Sequence, residues 1–223
     1  MNKCTIYTTL LIIYIFFYSK GLQAQELSSN NILEIVDLYA DSQFDIVKAK
    51  LNNYGYSLMK STPDYTLHGV GHFGDFTMIR EKSSTSPTLK RIGWPDTDIW
   101  YFSIVDHTQD EVTAYRGMGR QVSIKFESTI LNAPIIYDQL SIFLANAGFG
   151  TRDCRGHSKC ADFGYVDPII YVDKSDAKHP RKMARRESYS LGLDDEPITH
   201  EGQSIPRATI YADINIITWP ILP

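Results

Sequence analysis

The chain has 223 residues, a formal net charge of −4 and 43% hydrophobic residues. The acidic balance argues against general binding to nucleic acid or to anionic membrane surfaces. The apolar content suffices for a packed core and excludes disorder over most of the length.

Residues 1–24 read as a secretory signal peptide. Lys3 supplies the positive charge, Leu10 to Tyr18 is an unbroken apolar run, and Ala24 precedes the expected cut, with Gly21 as an alternative. The run is short for a bilayer span, so no permanent anchor is expected after cleavage. Loss of Lys3 and Lys20 takes the 22 basic residues to 20 against 26 acidic ones, and the mature charge to −6. Cys4 leaves with the segment, and its place before the apolar run does not suit a lipid-acceptor cysteine. The expected location is secreted or periplasmic.

Ser28 to Asn31 can cap a helix over Ile32 to Tyr39, with a strand as the competing reading because the apolar residues there fit neither period cleanly. Phe44 to Tyr54 has helical spacing at Phe44, Val47, Leu51 and Tyr54, and Gly55 stops it. Strands are expected at Tyr65 to Val70 and Phe76 to Arg80, joined by a Gly-rich turn at Gly71 to Gly74. Ile99 to Val105 reads as a central strand. Val112 to Arg116 and Val122 to Phe126 read as a hairpin around Gly117-Met118-Gly119. A further helix spans Pro134 to Ala147, stopped by Gly148. A strand at Ile169 to Asp173, a long polar connection and an alternating strand at Ile210 to Ile216 complete the chain.

The expected fold class is α+β, with antiparallel sheet packed against a few helices. Two tandem helix-plus-sheet modules, residues 25–117 and 118–223, are one arrangement; a single compact domain is the other. The case for tandem modules is an offset of 93 positions that pairs Val47 with Leu140, Leu51 with Leu144, Gly55 with Gly148 and Tyr56 with Phe149. The same offset pairs Phe76, Met78 and Ile79 with Ile169, Tyr171 and Val172. In architecture such a chain resembles the tandem helix-plus-sheet binding proteins such as the β-lactamase inhibitory protein, without a shared motif.

Cys154-Arg-Gly-His157-Ser-Lys-Cys160 is the sharpest local cluster. In an oxidising compartment Cys154 and Cys160 read first as a disulfide, whose small ring contributes only about 2 kcal/mol. The competing readings are a zinc site with His157 or a thiol nucleophile beside it. His68 and His72 could share a metal only in a tight turn, since an extended chain separates them by about 13 Å. No metal or cofactor is expected. Ser57-Leu-Met-Lys60 matches Ser-x-x-Lys, but it follows a helix stop and lacks companion motifs. Asp96-x-Asp98 and Asp106-His107 read as solvated loop pairs. Trp94, Trp100, Tyr101 and Phe102 read mainly as core.

Lys178 to Arg186 carries Lys178, Arg181, Lys182, Arg185 and Arg186 in what reads as a long exposed loop, the candidate contact for a partner. The expected function is a non-enzymatic binding protein of the inhibitor or immunity kind, whose partner is another protein of the envelope or extracellular space. A small hydrolase built on residues 154–160 and a purely structural envelope component are the alternatives.

Overall fold

A computed structural model describes residues 26–59, 71–82, 91, 96–107, 119–130, 132–154, 159–165, 167–174 and 177–221. The signal segment, the strand expected at Tyr65 to Val70 and the one expected at Val112 to Arg116 lie outside them.

Among the described residues three helices form where the apolar spacing requires them: α1 (Ser29–Ala40), α2 (Phe44–Asn53) and α3 (Ala133–Asn146). Helix wins over strand in α1 because a capping box nucleates it. The Asn31 amide donates to Ser28 Oγ and the Ser28 amide donates to Asn31 Oδ1. Its stripe of Ile32, Ile35, Val36 and Tyr39 is then buried at i, i+3, i+4 and i+7. Both α2 and α3 end two residues before a left-handed glycine, Gly55 (φ 84°) and Gly148 (φ 90°), a conformation that a side chain disfavours.

The strands are β1 (Ser57–Leu58), β2 (Gly71–Lys82), β3 (Asp96–His107), β4 (Gly119–Thr129), β5 (Gly150–Asp153), β6 (Lys159–Gly164), β7 (Ile169–Asp173), β8 (Arg181–Asp194) and β11 (Thr209–Pro220). They make one antiparallel sheet in the order β1-β2-β3-β4-β11-β8-β6-β5, with β7 on β8 in line with β6. A separate hairpin pairs β9 (Ile198–His200) with β10 (Gln203–Ile205). The fold is therefore α+β with a large antiparallel sheet.

All three helices share one core with one sheet face. Its centre is a set of cross-strand aromatic and aliphatic neighbours: Met78 opposite Trp100, Phe76 opposite Phe102, and Trp100 opposite Phe126. The Tyr39 ring of α1 lies 4.6 Å from Phe102, and Phe102 lies 4.7 Å from Phe76. Trp100 and Phe102 are thus core residues, whereas Tyr101 faces outward and is exposed.

The segment 44–58 and the segment 133–153 each run helix, glycine stop, edge strand. From there each half builds inward to the β4–β11 pair at the middle of the sheet. The offset of 93 holds only as far as the edge strands. Phe76, Met78 and Ile79 lie in β2 on the main path, while Ile169, Tyr171 and Val172 lie in β7, which stands off that path. The place next to the far edge strand is taken by β6.

Several expectations are corrected. Gly71 to Gly74 is not a turn but the first part of β2, paired with β3 across a register irregularity between Phe73 and Phe76. Glycines there permit the irregularity without forcing a reversal. β4 finds its partners in β3 and β11, with His107 opposite Gly119, rather than in Val112 to Arg116. The long polar connection contains the 14-residue strand β8.

Candidate functional site

Strand alternation sends the apolar residues Val122, Ile124 and Phe126 of β4 toward the helices and Ser123, Lys125 and Glu127 to the opposite face. In β11, Ile210, Ala212, Ile214 and Ile216 are buried, and Tyr211, Asp213 and Asn215 share the outer face with the β4 residues. No helix among the described residues packs on that face. Nor is any described helix long and apolar enough to cross a membrane.

Two depressions mark the uncovered face. The larger, about 540 Å³, lies over β5, β6, β8 and β11. Its floor is made of small residues in register, Gly150 opposite Gly164 and Gly164 opposite Ser188, with Ser190 beside them opposite the rim residue Asp162. Missing side chains on adjacent strands create the hollow directly. Its rim is charged and hydrogen-bonded. Arg152 Nε stands 3.3 Å from Asp162, the Ser190 hydroxyl donates to Asp162, and the Ser123 hydroxyl donates to Asn215 Oδ1 at 2.9 Å. Lys125 and Asp213 approach to 3.9 Å, both well exposed, and such a pair contributes little stability. Tyr165, at one wall, packs its ring on Phe149 at 3.9 Å between centroids. Burial and the nearby Glu187 raise its phenol above the usual value, and Arg185 opposes them.

The smaller depression, about 200 Å³, is lined by Glu127, Asp194 and Glu196 together with Arg207 and Tyr211. Burial, followed by the charge of Asp194, raises the Tyr211 phenol. Arg207 reaches Asp96 Oδ1 at 3.3 Å and donates to Thr129 Oγ1 at 3.1 Å.

Cys154 and Cys160 form a disulfide with a Cα–Cα distance of 5.5 Å. Both sulfurs are therefore occupied, and neither is a thiolate able to bind zinc or attack a substrate. His157 and His68 lie outside the described residues. His72 falls in β2 opposite Val105, an extended position rather than a tight turn. Ser57 sits on β1, donating to Ile79 O at 3.4 Å, so it is not presented on a helix. Neither depression has a histidine or cysteine in its lining, and Ser190 meets a carboxylate with no imidazole between them. Among the described residues, no base suited to activate that serine stands beside it.

The five candidate contact cations do not act as one loop. Lys178 lies in an exposed turn, while Arg181, Lys182, Arg185 and Arg186 belong to β8. Alternation splits them. Arg185 turns to the helical side, beside Glu187 and 3.9 Å from Asp37 of α1. Burial raises the Asp37 carboxyl, with Arg185 opposing. Arg186 lies on the outer face, opposite Ile217. The residues were visible in the sequence; their separation by the pleat was not, because a long strand with so many cations has no apolar alternation at its start.

A second cluster was missed outright. Asp98 is fully buried and Asp96 nearly so, not solvated in a loop. Arg80, directly opposite Asp98 in the ladder, donates through Nε at 2.9 Å; Lys82 Nζ stands at 2.7 Å. Ser128 and Tyr56 complete the carboxylate's hydrogen bonds at 2.6 and 3.3 Å. Burial first, and then the charge of Asp98, raises the Tyr56 phenol far above its ordinary value. Asp98 and its partners are buried on the helical side and tie β2, β3 and β4 together, while Asp96 connects to the smaller depression through Arg207.

No protein-family description, curated protein or solved structure matches this chain.

Proposed function

We propose that this is a secreted or periplasmic, non-enzymatic binding protein whose helix-free sheet face receives another protein of the envelope or extracellular space, as an inhibitor or immunity-type module does. The observation that carries this reading is the hollow of about 540 Å³ floored by Gly150, Gly164, Ser188 and Ser190, on a face that no described helix covers. A floor of small residues admits a protruding loop or side chain from a partner. The exposed Tyr101 and the charged rim supply anchoring and orienting contacts. The signal-like N-terminus and the disulfide between Cys154 and Cys160 support an oxidising compartment.

Gly164 offers a clean test. A Cβ there would have Glu187 O and Ser188 Cβ as its nearest neighbours, both at 4.0 Å, so a side chain fits without strain and projects into the hollow. The mature, oxidised chain is used as bait against envelope and culture-medium fractions. The expected result is one stoichiometric partner that is lost with Gly164→Gln and weakened with Tyr101→Ala. Glu34→Gln, on the exposed surface of α1, leaves capture unchanged. A partner retained by both sheet-face variants refutes the reading. Absence of any stoichiometric partner favours a structural envelope component instead.

A further inference from the structure

β7 is a short edge strand whose central residues, between Pro168 and Asp173, are an unbroken apolar run. It pairs with β8 from Ile169 opposite Arg185 to Asp173 opposite Arg181. It lies end to end with β6, but β5 flanks only β6. Among the described residues the lane beside β7 is therefore empty, and every second residue of β7 turns its N–H and C=O toward that lane. Ile169, Ile170, Tyr171 and Val172 are all exposed, between 37% and 54%. Edges are normally blunted by charge, proline or a bulge; none of these interrupts Ile169 to Val172. Ile170 also extends an outer-face row formed by Trp219 opposite Ala184 and Ala184 opposite Ile170.

Charge defines the occupant. The chain as a whole is acidic, yet residues 169–186 carry six Lys and Arg against Asp173 and Asp176. Arg185 is paired with Glu187 and Asp37, so the local sign rests on the exposed cations. Lys174, Arg181 and Lys182 are exposed around the strand. A second copy would bring the same cations face to face. Five residues also give an edge of only about 17 Å, a small seam against the roughly 1,000 Å² that a stable interface buries. A single extended segment fits both the length and the sign.

We propose that the edge of β7 over Ile169–Val172 is a strand-addition site for an extended, acidic segment of a partner protein. Backbone pairing supplies the affinity, and the apolar side chains on alternate faces of β7 together with the flanking cations supply the selectivity. The site stands apart from the hollow at Gly164 and does not depend on it.

The test uses the mature, disulfide-bonded chain, isotope-labelled, with two blocked synthetic peptides of matched length. One alternates Val and Thr with Glu and Asp, and the other replaces each acidic residue by Lys. The acidic peptide is expected to slow amide hydrogen exchange across residues 169–173 and to bind more weakly as salt rises. Arg181→Glu with Lys182→Glu, two exposed positions, should weaken it about tenfold and favour the Lys peptide. Val172→Glu is a second variant with the same expected loss, and Gly164→Gln should leave binding intact. The proposal is overturned by the absence of protection at β7 at millimolar peptide, or by equal affinity for the two peptides. Protection that rises with protein concentration and needs no peptide also overturns it, since a second copy would then be the occupant.

Discussion

Replacing Asp98 by alanine should be among the most damaging single changes in the molecule. The carboxylate is fully buried and answers two cations, Arg80 at 2.9 Å and Lys82 at 2.7 Å, plus the hydroxyls of Ser128 and Tyr56. Arg80 is itself buried, and Lys82 is mostly so. Glu26 remains 3.1 Å from Arg80, but it is half exposed and touches only one of the two cations. Removing one member of a buried ion pair costs about 3–5 kcal/mol, because the cation left behind can neither reach water nor lose its charge. For a chain of this size that is a fall in Tm of roughly 10 °C. Thermal and urea unfolding followed by circular dichroism measure it, with the urea midpoint moving and the slope unchanged. Asp98→Leu combined with Arg80→Met removes both charges at similar volume and should recover much of the loss. A single-variant cost below about 1 kcal/mol, or a double variant worse than Asp98→Ala, would refute the argument that charge burial governs this cluster.

Tyr56 and Tyr189 both have phenols raised by burial first and by a neighbouring carboxylate next. The unfolded chain ionises them near pH 10 while the fold holds them neutral, so their stabilising contribution is complete below that pH and declines above it. Alkaline unfolding should therefore set in above about pH 10, and Tyr189→Phe should flatten the decline when stability is measured against pH. Cys154→Ser with Cys160→Ser should cost only about 2 kcal/mol, because the ring is small; thermal unfolding of the wild type with reductant should match the variant, and loss of folding would contradict a loop-pinning role. Gly148→Ala should destabilise by about 1–2 kcal/mol through its left-handed backbone. Gly164→Ala, in ordinary strand geometry with free space, should lose no more than a few tenths of a kcal/mol. Chemical denaturation separates those two glycines.

Much of the scaffold was legible in local pattern. The stripes at Val47 and Ile136 declare helices, the glycines after α2 and α3 declare their stops, and alternation in β4 and β11 declares strands with one dry face; in α1 the spacing leaves helix and strand both open, and the capping box decides between them. The disulfide followed from two cysteines six positions apart and an oxidising address. The buried cluster was not legible, because Arg80 and Asp98 become neighbours only when β2 and β3 pair; a line of sequence shows two charged residues of the kind usually found in water. The same limit hid the hollow. Gly150, Gly164, Ser188 and Ser190 look like ordinary small residues until three strands place them in register.

The sequence by itself marked α2 and α3 as helices with their glycine stops, showed which faces of β4 and β11 are apolar, and made a disulfide the first reading of Cys154 and Cys160. Those properties depend on residues within a few positions of one another. Tertiary structure alone decided that both halves share one sheet, that Lys178 to Arg186 becomes mostly strand, and that Arg185 and Arg186 part to opposite faces. It also decided that, among the described residues, no helix covers one sheet face and no strand pairs with β7 on the side away from β8. Each of these is set by pairing between distant strands, and a ladder's register leaves no periodic trace in either strand read alone.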